Sequence, residues 1–147
     1  MAHVRKLIRD NVTTTLTGLS TTGSNVFQTR LFSLGENKLP AICIYTKSEA
    51  VEYVTITRPR TQIRTLDVAV EFFVKGTANV DDAIDAVALE IEEALYADPT
   101  RGGNAKDTKI TDFEADYNSD GEQSVGVGRF TISVDYATLE NDIENGV

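Results

Sequence analysis

Residues 62–97 read QIRTLDVAVEFFVKGTANVDDAIDAVALEIEEALYA, and the fold turns on this stretch. Leu66, Val68, Val70, Phe72 and Val74 take every second position, with Thr65, Asp67 and Glu71 between them. That is the pattern of a strand with one face on a core and one toward water. After Lys75, Gly76 and Thr77, Asn79 stands where a side-chain oxygen can accept the free amide hydrogens of a helix start. Asp81 and Asp82 follow where the positive end of the helix dipole favours carboxylates. Val80, Ala83, Ile84, Val87, Ala88, Ile91 and Leu95 then recur at spacings of three and four, one apolar stripe that can lie on the sheet. Asp98 followed by Pro99 ends the helix. The opposite face holds Asp81, Asp82, Asp85, Glu90, Glu92 and Glu93 without a Lys or Arg, and reads first as solvated surface.

Upstream, residues 3–17 place Val4, Leu7, Ile8, Val12 and Leu16 on one face of a first helix, with Arg5, Lys6 and Arg9 on the other. A Thr/Ser/Gly linker at 19–23 leads to an expected edge strand over 26–34. Pro40 opens the run Ala41, Ile42, Cys43, Ile44 and Tyr45, which is apolar on both faces and predicts a central strand. Residues 46–61 lack clear periodicity and read as a long loop or arm, within which residues 51–57 can form a strand or hairpin arm.

Downstream, residues 101–106 form a polar, Gly-rich turn, and 109–117 and 123–138 read as two paired strands. In the second of these the apolar residues change parity, from Val125 and Val127 to Phe130, Ile132, Val134 and Tyr136, which predicts a bulge near Gly126 or Gly128. Residues 139–147 read as a short, flexible, acidic tail. The whole chain, 1–147, is expected to be one domain of α+β class: a mostly antiparallel sheet of about five strands with two helices packed on one face.

Composition limits the function. The 147 residues suit one core, and the net charge of −9 argues against a sequence-independent grip on nucleic acid or on an anionic membrane. Nothing points to sequence-specific nucleic-acid binding. The single cysteine, Cys43, lies in an apolar run, so no internal disulfide can form and a buried thiol in a reducing compartment is expected. No stretch approaches the roughly 20 apolar residues of a membrane span, and no signal peptide is evident. A soluble protein made in a cytoplasm is the expectation.

Chemistry has few candidates. The only histidine, His3, sits at the start of the first helix, where a mobile terminus would position it poorly, so triads and histidine-based metal clusters are not expected. Asp116, Asn118, Asp120 and Gly121 match the first half of a calcium loop, with Glu122 next, but its twelfth position is Val127 rather than Glu. An Asp-Gly hairpin turn accounts for these residues more simply, with a weak surface cation site as the alternative. The expectation is therefore a protein that is not an enzyme and carries no cofactor and no resident metal, acting through its surfaces.

The order and spacing of several strings carry a resemblance. They are the N-terminal helix with His3 and Arg5, the string from Leu39 to Thr46, the strand from Leu66 to Val74 and the helix from Val80 to Leu95. The ending from Ile110 to Tyr117 and from Phe130 to Tyr136 completes the set. Over residues 1–138 the chain resembles the tail terminator proteins of long-tailed bacteriophages, in particular the minor tail protein U family of lambda-like phages. The resemblance implies a small α+β subunit that forms a hexameric ring on the head-proximal end of the tail tube. There it would stop polymerisation of the tube protein and offer a surface to head–tail connector proteins. Its place would be the virion tail, reached by assembly in the host cytoplasm.

Charge is distributed in keeping with such a role. Residues 79–98 and 112–122 hold acids without a base, whereas 47–64 holds Lys47, Arg58, Arg60 and Arg64 against Glu49 and Glu52. The candidate subunit or tail-tube interface is thus Lys47, Arg58, Arg60 and Arg64 on one side and Asp81, Asp82 and Asp85 on the other. The alternatives are a head-completion or neck connector protein and, in another class, a hydrolase or metal-dependent enzyme built on residues 116–122.

Overall fold

The structure is a computed structural model that describes residues 2–28, 40–75, 79–118 and 125–146. Among the described residues two helices and five strands follow in the order α1 (Val4–Leu16), β1 (Val26–Phe27), β2 (Ala41–Tyr53), β3 (Thr61–Lys75), α2 (Val80–Tyr96), β4 (Asp107–Asn118) and β5 (Val125–Leu139). The expected α+β class holds. The sheet runs β1-β2-β3-β5-β4, antiparallel throughout except where β1 pairs with β2. α2 carries the chain from β3 to the far edge, and β5 then returns into the gap between them.

Alternation along β3 and β5 decides where the core lies. Leu66, Val68, Val70 and Phe72 from β3 pack with Phe130, Ile132 and Val134 from β5 under Val4, Ile8, Val12 and Leu16 of α1 and Ile84, Val87, Ile91 and Leu95 of α2. Each of these large side chains, withdrawn from water, contributes about 1.5–3 kcal/mol. The α2 stripe read from the sequence is therefore the buried one, although Asn79, at the N-cap position, makes no side-chain cap hydrogen bond. The C-terminal end of α2 is served by a residue that the sequence presented as part of a polar turn. Arg101, fully buried with φ +50°, donates from Nη2 to the Leu95 carbonyl at 2.6 Å and to the Asp98 carbonyl. A guanidinium there satisfies helix-end acceptors that otherwise lose water without a partner.

Register corrects two expectations. β5 pairs with β3 without interruption from Lys75↔Val125 to Thr61↔Leu139, so no bulge forms at Gly126 or Gly128. Both glycines instead face the helices. A Cβ on Gly128 would stand 2.2 Å from Cζ of Phe72, and one on Gly126 2.5 Å from Cγ2 of Val80. They leave the space into which those side chains pack. The bulges lie at Lys47 in β2 and Thr111 in β4, where one residue is skipped in each ladder.

The skipped Lys47 also explains residues 46–61. Ile42 and Ile44 face the helices before it, and Glu49, Val51 and Tyr53 do so after it, because one extra residue inverts the alternation. The segment is therefore not a long loop: β2 runs on to Tyr53, β3 begins at Thr61, and only residues 54–60 join them. The final segment is likewise tied down up to residue 143. Glu140 N donates to Arg60 O at 2.9 Å, and Val4 N to Ile143 O at 2.9 Å. Of the strand expected over 26–34, the described part is Val26–Phe27; the rest lies outside the described residues.

Candidate assembly surfaces

The four basic residues nominated from the sequence have different environments. Arg58 is exposed in the β2–β3 connection. Arg60 is half-buried, its Nε 2.9 Å from Oε2 of Glu140 and its guanidinium 4.5 Å above the Tyr53 ring. Lys47 extends from its bulge to donate to Oγ1 of Thr131 at 3.3 Å. Arg64 is buried, with Nη1 2.8 Å from Oε2 of Glu49 and Nη2 2.7 Å from Oε1 of Gln62. Arg64 is thus an internal residue.

Its partner Glu49 closes a network where the first helix meets the sheet. The same Oε2 accepts from Nη1 of Arg5 on α1 at 2.7 Å, while Oε1 accepts from the Tyr136 hydroxyl. Burial, and then the neighbouring carboxylate, push the Tyr136 phenol well above its usual range. His3, the N-cap of α1, accepts the Arg5 amide hydrogen at Nδ1 across 3.0 Å, so this histidine is held in place as a structural group. Burial and the nearby Arg5 and Arg64 charges lower its pKa.

Asp81, Asp82 and Asp85 are exposed on α2. Val80 lies over Gly126, at the end of the sheet where β3 finishes, whereas Arg58 lies beyond the other end, where β3 starts. Within one chain the nominated acids and bases therefore do not meet. Tyr117 of the candidate calcium string is exposed and Asp116 lines a small surface pocket with Asp81, but residues 119–124 lie outside the described set. Among the described residues no group of three potential metal ligands comes together. No described helix is long and apolar enough to cross a membrane.

Two apolar surfaces were not apparent in the sequence. The β2–β3 hairpin exposes Val51, Tyr53, Val54 and Ile56, the last 95% exposed. On the β4 edge, α2 and β4 enclose a groove in two adjoining pockets of about 580 and 410 Å³, lined by Glu92, Tyr96, Ile110 and Phe113 among others. Phe113 joins Phe130 and Phe72 in an aromatic cluster, its ring 5.1 Å from that of Phe130. Large exposed apolar groups gathered in one place mark contact surfaces.

The sheet face away from the helices carries a second polar group. Glu71, 1% exposed, accepts from the Tyr45 hydroxyl and from Nη2 of Arg129 at 3.2 Å, and Nη1 of Arg129 lies 3.5 Å from Glu114. A groove of about 530 Å³ opens beside them. Cys43 is buried on the same face, and burial followed by the Glu71 charge pushes its thiol up to about 11.

No family model matches the chain, and no curated protein matches it. Among solved structures it is similar to a chain of the "Virion of native gene transfer agent (GTA) particle". The two share 12% identity, the match covers 90% of this chain and 92% of that one, and the TM-score is 0.47.

Proposed function

We propose that this chain is a structural subunit of a tailed, phage-like virion, working by contact with copies of itself and with the end of a tail tube. It assembles as a ring on the head-proximal end of the tube, ends polymerisation of the tube protein and presents a surface to head–tail connector proteins. The observation that carries this reading is the pair of exposed apolar surfaces, the hairpin at 51–56 and the α2–β4 groove, on one small domain. Such a domain offers two separate contact sites, as a ring subunit requires. The resemblance of the order of sequence strings to that of tail terminator proteins gives the reading its specific form. The ring is six-membered on that resemblance. No bond is made or broken in this role.

Electron microscopy of lysates made without the protein tests it. Tubes longer than normal and lacking heads are the expected result. Tails of normal length that fail to join heads would instead indicate a head-completion or neck connector, and normal virions would end both readings.

A further inference from the structure

We infer that the hairpin arm of one copy seats in the α2–β4 groove of the next, a head-to-tail contact between identical chains. This deepens the ring reading above by naming the two surfaces that meet. The arm is preformed: Val54 N donates to Thr61 O at 2.9 Å, Thr61 N to Oγ1 of Thr55 at 2.8 Å, and Glu140 N to Arg60 O at 2.9 Å. Its connecting residues, 54–60, carry Arg58 and Arg60 and no acid around the exposed Val54 and Ile56; Arg60 is already paired with Glu140, which leaves Arg58 as the charge offered at the tip. The groove is the complement. Tyr96, Ile110 and Phe113 give it an apolar, aromatic lining, and Asp85, Glu92 and Asp112 stand along it, none of them in an ion pair among the described residues.

One chain cannot satisfy both surfaces by itself. The arm projects from the end of the sheet at the β2–β3 connection, and the groove runs along the opposite β4 edge, with β5 between. A contact between two different patches of identical subunits is heterologous, and it closes into a ring when the rotation per subunit allows. Aromatic side chains over apolar ground with charge at the rim are the composition of such interfaces. A second copy is favoured as the occupant because the charges and apolar groups of the two surfaces match each other.

Sedimentation of the purified full chain tests this directly. Wild-type protein is expected to form a closed oligomer. Ile56→Asp on the arm and Tyr96→Asp in the groove are each expected to remain monomeric at the same concentration, with unchanged circular dichroism, since both positions are exposed. Mixed in equal amounts, these two variants are expected to form dimers only, because one intact arm meets one intact groove and the next contact is blocked. Arg58→Glu serves as a second arm variant and is expected to weaken assembly at least tenfold at low salt. Monomeric wild-type protein, variants that assemble normally, or a mixture that stays monomeric or rebuilds the full oligomer would each overturn the contact. So would arm variants that keep the oligomer but lose binding to tail tubes, which would assign the arm to the tube subunit. The assay uses this chain alone, so a failure of the tail-capping role in lysates would leave its outcome standing.

Discussion

Glu49 holds Arg64 at 2.8 Å inside the protein, joining two strands beneath the N-terminal end of α1. The same carboxylate takes Arg5 at 2.7 Å, so one acid compensates two guanidinium groups. The Glu49 side chain is 7% exposed and that of Arg64 11%, which places this pair largely beyond the screening that weakens surface ion pairs. Removing one member of a buried pair leaves the other charged and desolvated. Glu49→Gln is therefore expected to cost about 3 kcal/mol in urea unfolding. Arg60→Ala, which breaks a more exposed pair with Glu140, is expected to cost about 1 kcal/mol or less. Equal losses for the two would contradict this account.

Gly128 and Phe72 form a second coupled pair. A methyl group on Gly128 meets the Phe72 ring, which is itself confined by Phe113 and Phe130. Gly128→Ala should destabilise the fold by about 1–3 kcal/mol, as overpacking does. Shortening the ring in Phe72→Leu should recover part of this, so a double-mutant cycle is expected to show a coupling of about 1 kcal/mol or more. Additive losses would mean that the ring does not need the space above the glycine.

Much of this fold was legible because period-2 and period-3.6 patterns are direct consequences of burial on one side. β3, α2 and the β4–β5 pair followed from such patterns. The arm did not, because the extra residue at Lys47 inverts alternation within β2, and a bulge leaves no mark that distinguishes it from a loop. Arg64 did leave a signal: it shares the inward parity of Leu66 and Val68, which places its guanidinium on the helix side. Gly126 and Gly128 share the same parity as Phe130, and room for the residues opposite them explains them better than a bulge. The α2–β4 groove had no local signature, since Tyr96 and Ile110 come from separate elements that only the sheet order brings together.

Acid should weaken the first helix through His3. Its folded pKa lies below the ordinary 6.5, so the unfolded chain binds the proton more readily. Stability from this group is present above about pH 6.5 and is lost as the pH falls through the lower folded value. Protonation of Nδ1 abolishes the acceptor that caps α1, worth about 1 kcal/mol. His3→Asn, which keeps an acceptor without titrating, is expected to flatten the fall in urea midpoint between pH 7 and 5.5. An unchanged slope would remove His3 from the explanation.

Cys43 should be inert in the folded protein. With the thiol pushed up to about 11 and the side chain buried, little thiolate exists at pH 8 and none is accessible. Alkylation by iodoacetamide is expected to follow the fraction unfolded as urea is raised. Rapid labelling without denaturant would show that the sheet face away from the helices opens readily.

β3 reaches from Lys75, near the start of α2, to Thr61 at the root of the arm, with a neighbouring strand on either side along the way. The projecting tip is thereby a cantilever clamped in the most deeply buried strand of the molecule. Such an element meets its partner already shaped, and docking forfeits little chain freedom. Trimming the tip would blunt the reach of the subunit while leaving the beam that carries it standing.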